Sequence, residues 1–161
     1  MSSSHNGISG QTFLADEALK MLPSAFAYQK EVNMPGTDNA GESLRGLRIL
    51  LVEDDPLIRL DLETSLAEFG ASVTAASNVA AALAALAVAM PDFAVLDFEL
   101  GAETSESIAE VVQDRNVPFL YLSGYSEHDE RFSRWPGIRV LAKPLSAARI
   151  ARGIEDILKA R

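Results

Sequence analysis

The 161-residue chain has no cysteine, which excludes disulfide bonds and thiolate metal sites. It is also short of basic residues, because 14 lysines and arginines face 23 acidic residues and give a net charge of −9. Such an acidic protein is poorly suited to phosphate backbones, so we expect no DNA partner. Residues 79–90, the longest uncharged apolar stretch, fall short of the ~20 residues of a membrane-spanning helix. With no secretory signal pattern at the start, the sequence predicts a cytoplasmic protein without membrane insertion.

The first 46 residues differ in composition from the rest of the chain. Both ends of this region are rich in small, polar and turn-forming residues, which is typical of flexible segments. Between them lies one face of a short amphipathic helix, formed by Leu14, Ala18, Met21, Leu22 and Ala25. We predict a flexible extension over residues 1–46 that either has no role or serves as a docking or dimerisation arm. The sequence therefore leaves open whether the protein forms a homodimer.

From residue 47 onward, short apolar runs alternate with helical patterns. Five runs have the length and composition of strands, at residues 47–52, 71–76, 93–96, 118–122 and 138–141. Their near-continuous apolar character indicates strands that are covered on both faces, as in parallel sheets. The alternation predicts an α/β fold with a doubly wound parallel sheet over residues 47–161.

Several helix boundaries are also predictable. Asp55 and Pro56 form a favourable helix start, since aspartate accepts hydrogen bonds from the first free amides and proline suits the first helical position. The expected inward face of this helix consists of Leu57, Ile58, Leu62, Leu66 and Phe69. An irregular loop is predicted after the third strand, and residues 127–134 leave room for two helical turns. Ser146 is expected to cap the last helix.

Polar side chains close four of the predicted strands. At their carboxyl ends lie Glu53, Asp54, Asp97, Ser123 and Lys143. Because the carboxyl ends of parallel strands share one edge of the sheet, we expect these side chains to converge. Three carboxylates repel each other unless a cation is present, and oxygen ligands favour Mg²⁺, with Mn²⁺ as the alternative. With the lysine and the hydroxyl, this set suits a transferring phosphoryl group, with Asp97 as its acceptor through an acyl phosphate.

Together these motifs resemble the receiver domain of bacterial two-component response regulators, of the stand-alone, single-domain type, over residues 47–158. The resemblance implies a flavodoxin-like sheet with the strand order 2-1-3-4-5. It also implies phosphorelay signalling that requires Mg²⁺, with a histidine kinase or phosphotransfer protein as the phosphodonor and an unknown output protein as the partner. The chain would then be a signalling protein rather than an enzyme.

The resemblance assigns a role to each of the five polar side chains. It implies the phosphoacceptor and metal ligand Asp97, the metal-binding acids Glu53 and Asp54, the hydroxyl residue Ser123, and the lysine of a Lys143-Pro144 pair. The backbone carbonyl of Phe98 or Glu99 would complete the metal shell.

Two departures from the family's pattern concern the switch that follows phosphorylation. Receivers usually carry a tyrosine or phenylalanine three residues before the lysine, where this chain has Val140. The segment around Ser123 is similar to a subgroup of stand-alone receivers with an aromatic residue in this loop, so Tyr121 and Tyr125 are the predicted switch residues. The interval of 20 residues between Ser123 and Lys143 also predicts a stunted fourth helix.

Two other functions stay open from the sequence. A small haloacid-dehalogenase-like phosphatase also combines an aspartyl phosphate, a hydroxyl and a lysine, although its nucleophile lies on the first strand as Asp-x-Asp, where this chain has Glu53-Asp54-Asp55. A phosphorylation-independent binding module would use only the exposed helices around the sheet. Phosphoryl uptake by Asp97 separates both from the receiver hypothesis.

Overall fold

The computed structural model describes residues 43–161, so the predicted amphipathic helix within residues 14–26 lies outside the described residues. The elements are, in chain order, β1 (Arg48–Val52), α1 (Pro56–Glu68), β2 (Ser72–Ala76), α2 (Val79–Val88), β3 (Phe93–Asp97), β4 (Glu99–Leu100), β5 (Glu103–Thr104), α3 (Glu106–Asp114), β6 (Phe119–Ser123), β7 (Val140–Ala142) and α4 (Ala147–Lys159). Among these helices, none is both long enough and apolar enough to cross a lipid bilayer.

The five longer strands form one parallel sheet in the order β2-β1-β3-β6-β7. Numbered among themselves, these strands have the order 2-1-3-4-5, so the predicted flavodoxin-like, doubly wound fold is confirmed. Every residue of β3 and β6 is buried, which explains why their sequences are almost uninterrupted apolar runs. The sheet therefore places the carboxyl ends of β1, β3, β6 and β7 along one edge.

Two apolar layers hold the helices to the sheet. On one face, Leu96 and Tyr121 of the sheet pack with Ile108 of α3 and with the small side chains of α2. On the other face, Val95 of β3 packs with Leu66 of α1 and with residues of α4. Alternate strand residues thus serve opposite layers, as the two-residue period of a strand requires.

The packed part of the chain begins before residue 47, where the receiver region was predicted to start. Leu44 is fully buried, and its backbone N–H donates to the carbonyl of Phe69 at 2.9 Å. The N–H of Gly46 donates to the carbonyl of Gly70 at 3.2 Å. This turn therefore lies against the end of α1 and belongs to the domain core.

Gly70 ends α1 with a left-handed backbone, and we expect the Gly70→Ala variant to be markedly less stable. Its φ is +92°, and an added Cβ would lie 3.0 Å from the Cα of Arg45. Steric strain and backbone contact together should lower the free energy of unfolding by about 2 kcal/mol or more. Gly46→Ala is the matched control, because Gly46 has φ +79° but nothing within 4 Å of an added Cβ. Urea denaturation should show a loss of only about 1 kcal/mol for the control, and equal losses would contradict the contact argument.

The start of α1 is as predicted, but its inward face is not. The Asp55 carboxylate accepts hydrogen bonds from the amides of Leu57 and Ile58 at 2.8 and 3.0 Å, and Pro56 is the first helical residue. However, Leu57 is 77% exposed and Ile58 is 43% exposed, so their predicted place in the core is wrong. The first turn of α1 lies at the carboxyl edge of β1, where the sheet ends and no strand remains to cover it. Leu62 and Leu66 are buried as predicted, and Phe69 is partly buried against the same apolar layer.

The connection between β6 and β7 contains less helix than the two turns for which its sequence leaves room. It contains a single 3-10 turn, Glu130–Phe132, followed by an irregular segment. Phe132 and Trp135 turn inward and are only 3% and 4% exposed, which anchors this connection to the core. The fourth helix is thus stunted, as the short interval predicted.

Two smaller predictions need correction. The loop predicted after β3 contains an antiparallel pair, β4 and β5, joined through Gly101 with φ +64°. Strands of two residues are too short to show an alternating apolar and polar pattern in the sequence. Ser146 does precede α4, but its side chain makes no capping hydrogen bond.

Candidate functional site

The carboxyl edge of the sheet brings a lysine into contact with two buried carboxylates. Lys143 follows β7, and its Nζ donates to Asp97 Oδ2 at 2.6 Å and to Glu53 Oε2 at 2.9 Å. Glu53 is 1% exposed and Asp97 is 4% exposed, so both acids are withdrawn from water. The second oxygen of Glu53 accepts the backbone N–H of Asp55 at 3.3 Å. Three residues that lie far apart in the sequence therefore form one charged group.

Burial and charge perturb the acid–base behaviour of this group. Desolvation raises the pKa of Asp97 to about 6, opposed by the Lys143 hydrogen bond and reinforced by the negative charge of Glu53. Desolvation tends to lower the pKa of Lys143, but the hydrogen bonds that its Nζ donates to Asp97 and Glu53 outweigh this effect, so the pKa is raised. One lysine cation therefore faces two carboxylates, and the cluster retains an affinity for further positive charge.

The acids also form a set that fits a hard divalent cation. Carboxylate oxygens of Glu53, Asp54 and Asp97 lie within 4.8 Å of one another. Asp54 is exposed, so this side of the set is open to water, and Mg²⁺ characteristically keeps several waters when it binds to one or two carboxylates. An all-oxygen donor set without histidine or cysteine suits Mg²⁺ or Mn²⁺ better than zinc or copper.

The backbone after Asp97 favours one of the two predicted carbonyl ligands. The carbonyl of Phe98 accepts the N–H of Ser105 at 3.1 Å and so closes the loop that contains β4 and β5. The amide of Glu99 donates to Asp97 Oδ1 at 3.3 Å, which brings the Glu99 backbone next to the carboxylate. Glu99 is therefore the better candidate for a backbone ligand.

Arg59 is a site residue that the sequence analysis missed. Its Nη1 donates to the backbone carbonyls of Glu53 and Asp54, at 2.8 and 3.1 Å. The guanidinium thus fixes the loop that carries both acids. A signal did exist, because side chains in the first turn of a helix point back toward its start, and a long basic side chain there reaches the preceding loop.

Ser123 lies at the end of β6 and is 1% exposed. Its Oγ accepts the backbone N–H of Tyr125 at 3.1 Å, so the hydroxyl and the following loop are held together. The backbone carbonyl of Ser123 accepts the N–H of Lys143 at 2.8 Å, but among residues 43–161 the Ser123 hydroxyl makes no hydrogen bond to the acids or to the lysine side chain. Its position at the carboxyl end of β6, in register with Ala142 just before the lysine, keeps it on the same edge.

The two predicted switch tyrosines have different environments. Tyr121 is fully buried, and its ring centroid lies 5.4 to 5.5 Å from the rings of Phe98, Phe119, Phe132 and Trp135. Its hydroxyl has no hydrogen-bond partner among residues 43–161, and burial raises its pKa. Tyr125 is half-buried, and the guanidinium of Arg131 lies 3.6 Å from its ring centroid. Val140, in the usual aromatic position, is buried in the same layer as Tyr121.

Comparison with known families gives one match that covers most of the described domain. Residues 49–155 match the response regulator receiver domain. Over 96 residues the chain is 36% identical to the sensor protein TorS of Escherichia coli, an alignment that covers 59% of this chain but only 10% of TorS. The chain spans less than two thirds of the length of the curated relatives that it matches.

Solved structures agree with this family. A response regulator receiver protein from Sinorhizobium medicae superposes with a TM-score of 0.63 at 29% identity, covering 73% of this chain and 98% of the other. The response regulator TrrA of Thermotoga maritima, solved in complex with Mg²⁺ and BeF, gives a TM-score of 0.60 at 25% identity, covering 69% and 98%. The receiver match decides against the phosphatase alternative, whose nucleophile would lie on the first strand. This chain belongs to the response regulator receiver domain family and has the fold of a phosphorelay signalling domain.

Proposed function

We propose that this receiver accepts a phosphoryl group on Asp97 from a histidine kinase or phosphotransfer protein and passes the signal on through protein contacts. The observation that carries this proposal is the Asp97 carboxylate, held at 2.6 Å by Lys143 beside the three-acid cluster. A carboxylate that is buried, bound to a cation and next to a metal-binding set has the environment of an aspartyl phosphate acceptor.

The residues divide the chemistry among them. An oxygen of Asp97 forms the new bond to phosphorus, while the bond between phosphorus and the donor nitrogen breaks and its electron pair leaves with the donor imidazole. The Lys143 ammonium exchanges one of its hydrogen bonds, from Asp97 to a phosphoryl oxygen. Ser123 offers a hydroxyl at the end of β6. A Mg²⁺ ion held by Glu53, Asp54 and Asp97, with the Glu99 carbonyl, would supply charge neutralisation on the phosphoryl oxygens.

Incubation with acetyl phosphate and Mg²⁺ tests this proposal directly. Acetyl phosphate reacts without a protein donor, so the experiment requires only the chemistry of the site. Intact-protein mass spectrometry should show the gain of one phosphoryl group, stable in acid and lost in base, as expected for an acyl phosphate. Chelation of the metal should suppress the gain. A protein that acquires no phosphoryl group with Mg²⁺ present would refute the proposal.

The exposed start of α1 supplies a surface for the phosphodonor. Leu57 and Leu60 are 77% and 60% exposed, and Ile58 is 43% exposed, which is unusual for three large apolar side chains in one short stretch. An open groove of about 620 Å³ continues from Leu57 and Ile58 to Lys143 and Pro144. A partner helix in this groove would bring its phosphohistidine next to Asp97.

A charge placed on this surface should separate docking from chemistry. We expect the Leu57→Glu variant to accept phosphoryl groups from a phosphotransfer protein about tenfold more slowly, because a desolvated carboxylate costs more than ~1.4 kcal/mol at an apolar interface. Its reaction with acetyl phosphate should be unchanged. Val88→Glu is the matched control, since Val88 is 88% exposed on α2 and should affect neither reaction. Equal slowing by both variants would argue against docking at α1.

Tyr125 is the better of the two switch candidates. The backbone N–H of Tyr125 donates a hydrogen bond to the Ser123 hydroxyl, and the Tyr125 ring is half-buried. A change at the Ser123 hydroxyl can therefore move the Tyr125 ring with little loss of packing. Tyr121 is enclosed by four rings and would have to disrupt the core to move. We therefore assign the switch to the loop from Ser123 to Tyr125.

A further inference from the structure

The strand β7 forms one edge of the sheet, and its outer side is open. The carbonyl of Arg139 accepts a hydrogen bond from the N–H of Tyr121, and the N–H of Lys143 donates to the carbonyl of Ser123. The backbone groups at these two positions therefore face β6. Since successive residues of a strand point their backbone groups to opposite sides, those of Val140 and Ala142 point away from β6. Two N–H groups and two carbonyls are therefore directed outward at this edge.

The stunted connection between β6 and β7 leaves this edge uncovered. Phe132 and Trp135 pack inward on Tyr121, and the described chain between β6 and β7 contains only the 3-10 turn Glu130–Phe132 and no α-helix. A groove of about 770 Å³ runs along the outer side of β7, between the loop at residues 126–128 and α4. Its floor is the strand itself.

The rim of this groove is basic, in contrast to the rest of the protein. Arg139, Arg149 and Arg152 line it and are exposed. Three acids lie near this rim. Glu127 lies on the loop side, Asp156 approaches Arg139 at 3.7 Å, and Glu155 lies near Arg152 but is paired with Lys159 at 3.0 Å. Three arginines at one exposed strand edge are notable in a chain with net charge −9.

We propose that this groove binds an extended, acidic segment of a partner protein. The segment adds a short strand to the sheet by pairing with the backbone of Val140 and Ala142, and its carboxylates pair with Arg139, Arg149 and Arg152. Strand addition gives affinity through the backbone, and the arginines give the preference for acidic sequences. A second copy of this chain fits less well, since a two-fold interface on this face would bring two sets of three arginines together. Binding needs no phosphoryl group on Asp97.

Selection of peptides from a random displayed library on the full, unphosphorylated chain tests the proposal. The peptides recovered should be rich in aspartate and glutamate, and their binding should weaken as salt is added. The double variant Arg149→Glu, Arg152→Glu should bind them about tenfold more weakly or worse, because like charges then face each other. Arg115→Glu is the matched control, with the same charge change at an exposed position after α3. It should bind as the wild type does.

Amide hydrogen exchange then identifies the mode of binding. With a selected peptide bound, the amides of Val140 and Ala142 should exchange more slowly with deuterium, while exchange at the start of α1 stays the same. The proposal fails if no acidic peptides are enriched, if the double variant binds them normally, or if these two amides stay unprotected. It also fails if the wild type is a dimer that the double variant dissociates, since the occupant would then be a second copy. Retention of acetyl phosphate labelling in the double variant verifies that its site is folded.

Discussion

The Asp97→Asn variant is expected to acquire no phosphoryl group from acetyl phosphate or from a protein donor. The asparagine side chain keeps the shape of aspartate and can still accept the Lys143 hydrogen bond, but its amide oxygen carries no charge and is a poor nucleophile. Loss of the acyl phosphate should therefore be complete while the fold persists. Intact mass after reaction with Mg²⁺ and acetyl phosphate is the measurement.

The matched control is Asp55→Asn, which alters a neighbouring acid of the same edge. Asp55 is exposed and caps α1 by accepting the amides of Leu57 and Ile58, so it has no contact with the acceptor oxygen. This variant should be labelled as the wild type is. Persistent labelling of Asp97→Asn, for example on Glu53 or Asp54, would overturn the assignment of the acceptor. Full signalling by Asp97→Asn in cells would instead favour the phosphorylation-independent binding module.

The same substitution should stabilise the metal-free protein at neutral pH. Burial raises the pKa of Asp97 to about 6 in the folded chain, above the value near 4 of an unfolded aspartate. Each pKa unit corresponds to about 1.4 kcal/mol, so the ionised form makes the fold less stable by about 3 kcal/mol at most. Asparagine removes this penalty without removing the side-chain volume.

The pH dependence gives this prediction its sign. Below pH 4 Asp97 is protonated in both folded and unfolded chains, so wild type and Asp97→Asn should be similarly stable. As pH rises toward 6 the unfolded carboxyl ionises first, and the wild type loses stability relative to the variant. Above pH 6 the difference should be constant, and Mg²⁺ should reduce it. Urea denaturation of both proteins between pH 4 and pH 8 measures the difference.

Asp92 supplies a control of opposite sign. Its ion pair with Arg48, at 2.8 Å, lowers the pKa of Asp92 to about 2. Asp92→Asn should therefore be less stable than the wild type at neutral pH, and the deficit should vanish as pH falls through the range from 4 to 2. If both asparagine variants change stability in the same direction across pH, the electrostatic argument for Asp97 is wrong.

The carboxyl edge was predictable because a strand end is a local feature of sequence. Asp97, Ser123 and Lys143 each close an apolar run, and the parallel topology then brings them to the same edge without further information. The topology also explains why Lys143 reaches Glu53, a contact across 90 residues that no local pattern contains. The residue types at this edge could therefore be predicted from the sequence, while the particular hydrogen bonds between them could not.

The features that the sequence analysis got wrong or missed have several physical causes. Leu57 and Ile58 match the helical period of a buried face, but the period does not say where the sheet beneath the helix ends. The stunted connection after β6 was predicted from its length, but the packing of Phe132 and Trp135 beside Tyr121 is a tertiary contact that no local pattern indicates. Arg59 was overlooked because its partners are backbone carbonyls, which have no residue identity in a sequence.

The aromatic layer beneath the site also gives the protein an intrinsic fluorescent probe. Trp135 is the single tryptophan of the chain, so its emission has one source. Its ring lies 5.5 Å from Tyr121, which lies 5.4 Å from Phe98, the residue directly after Asp97. A backbone shift at Asp97 would displace the Phe98 ring, and we expect it to change the packing around the indole two contacts away. We therefore expect tryptophan fluorescence to report on occupancy of the carboxyl edge in real time, without a label.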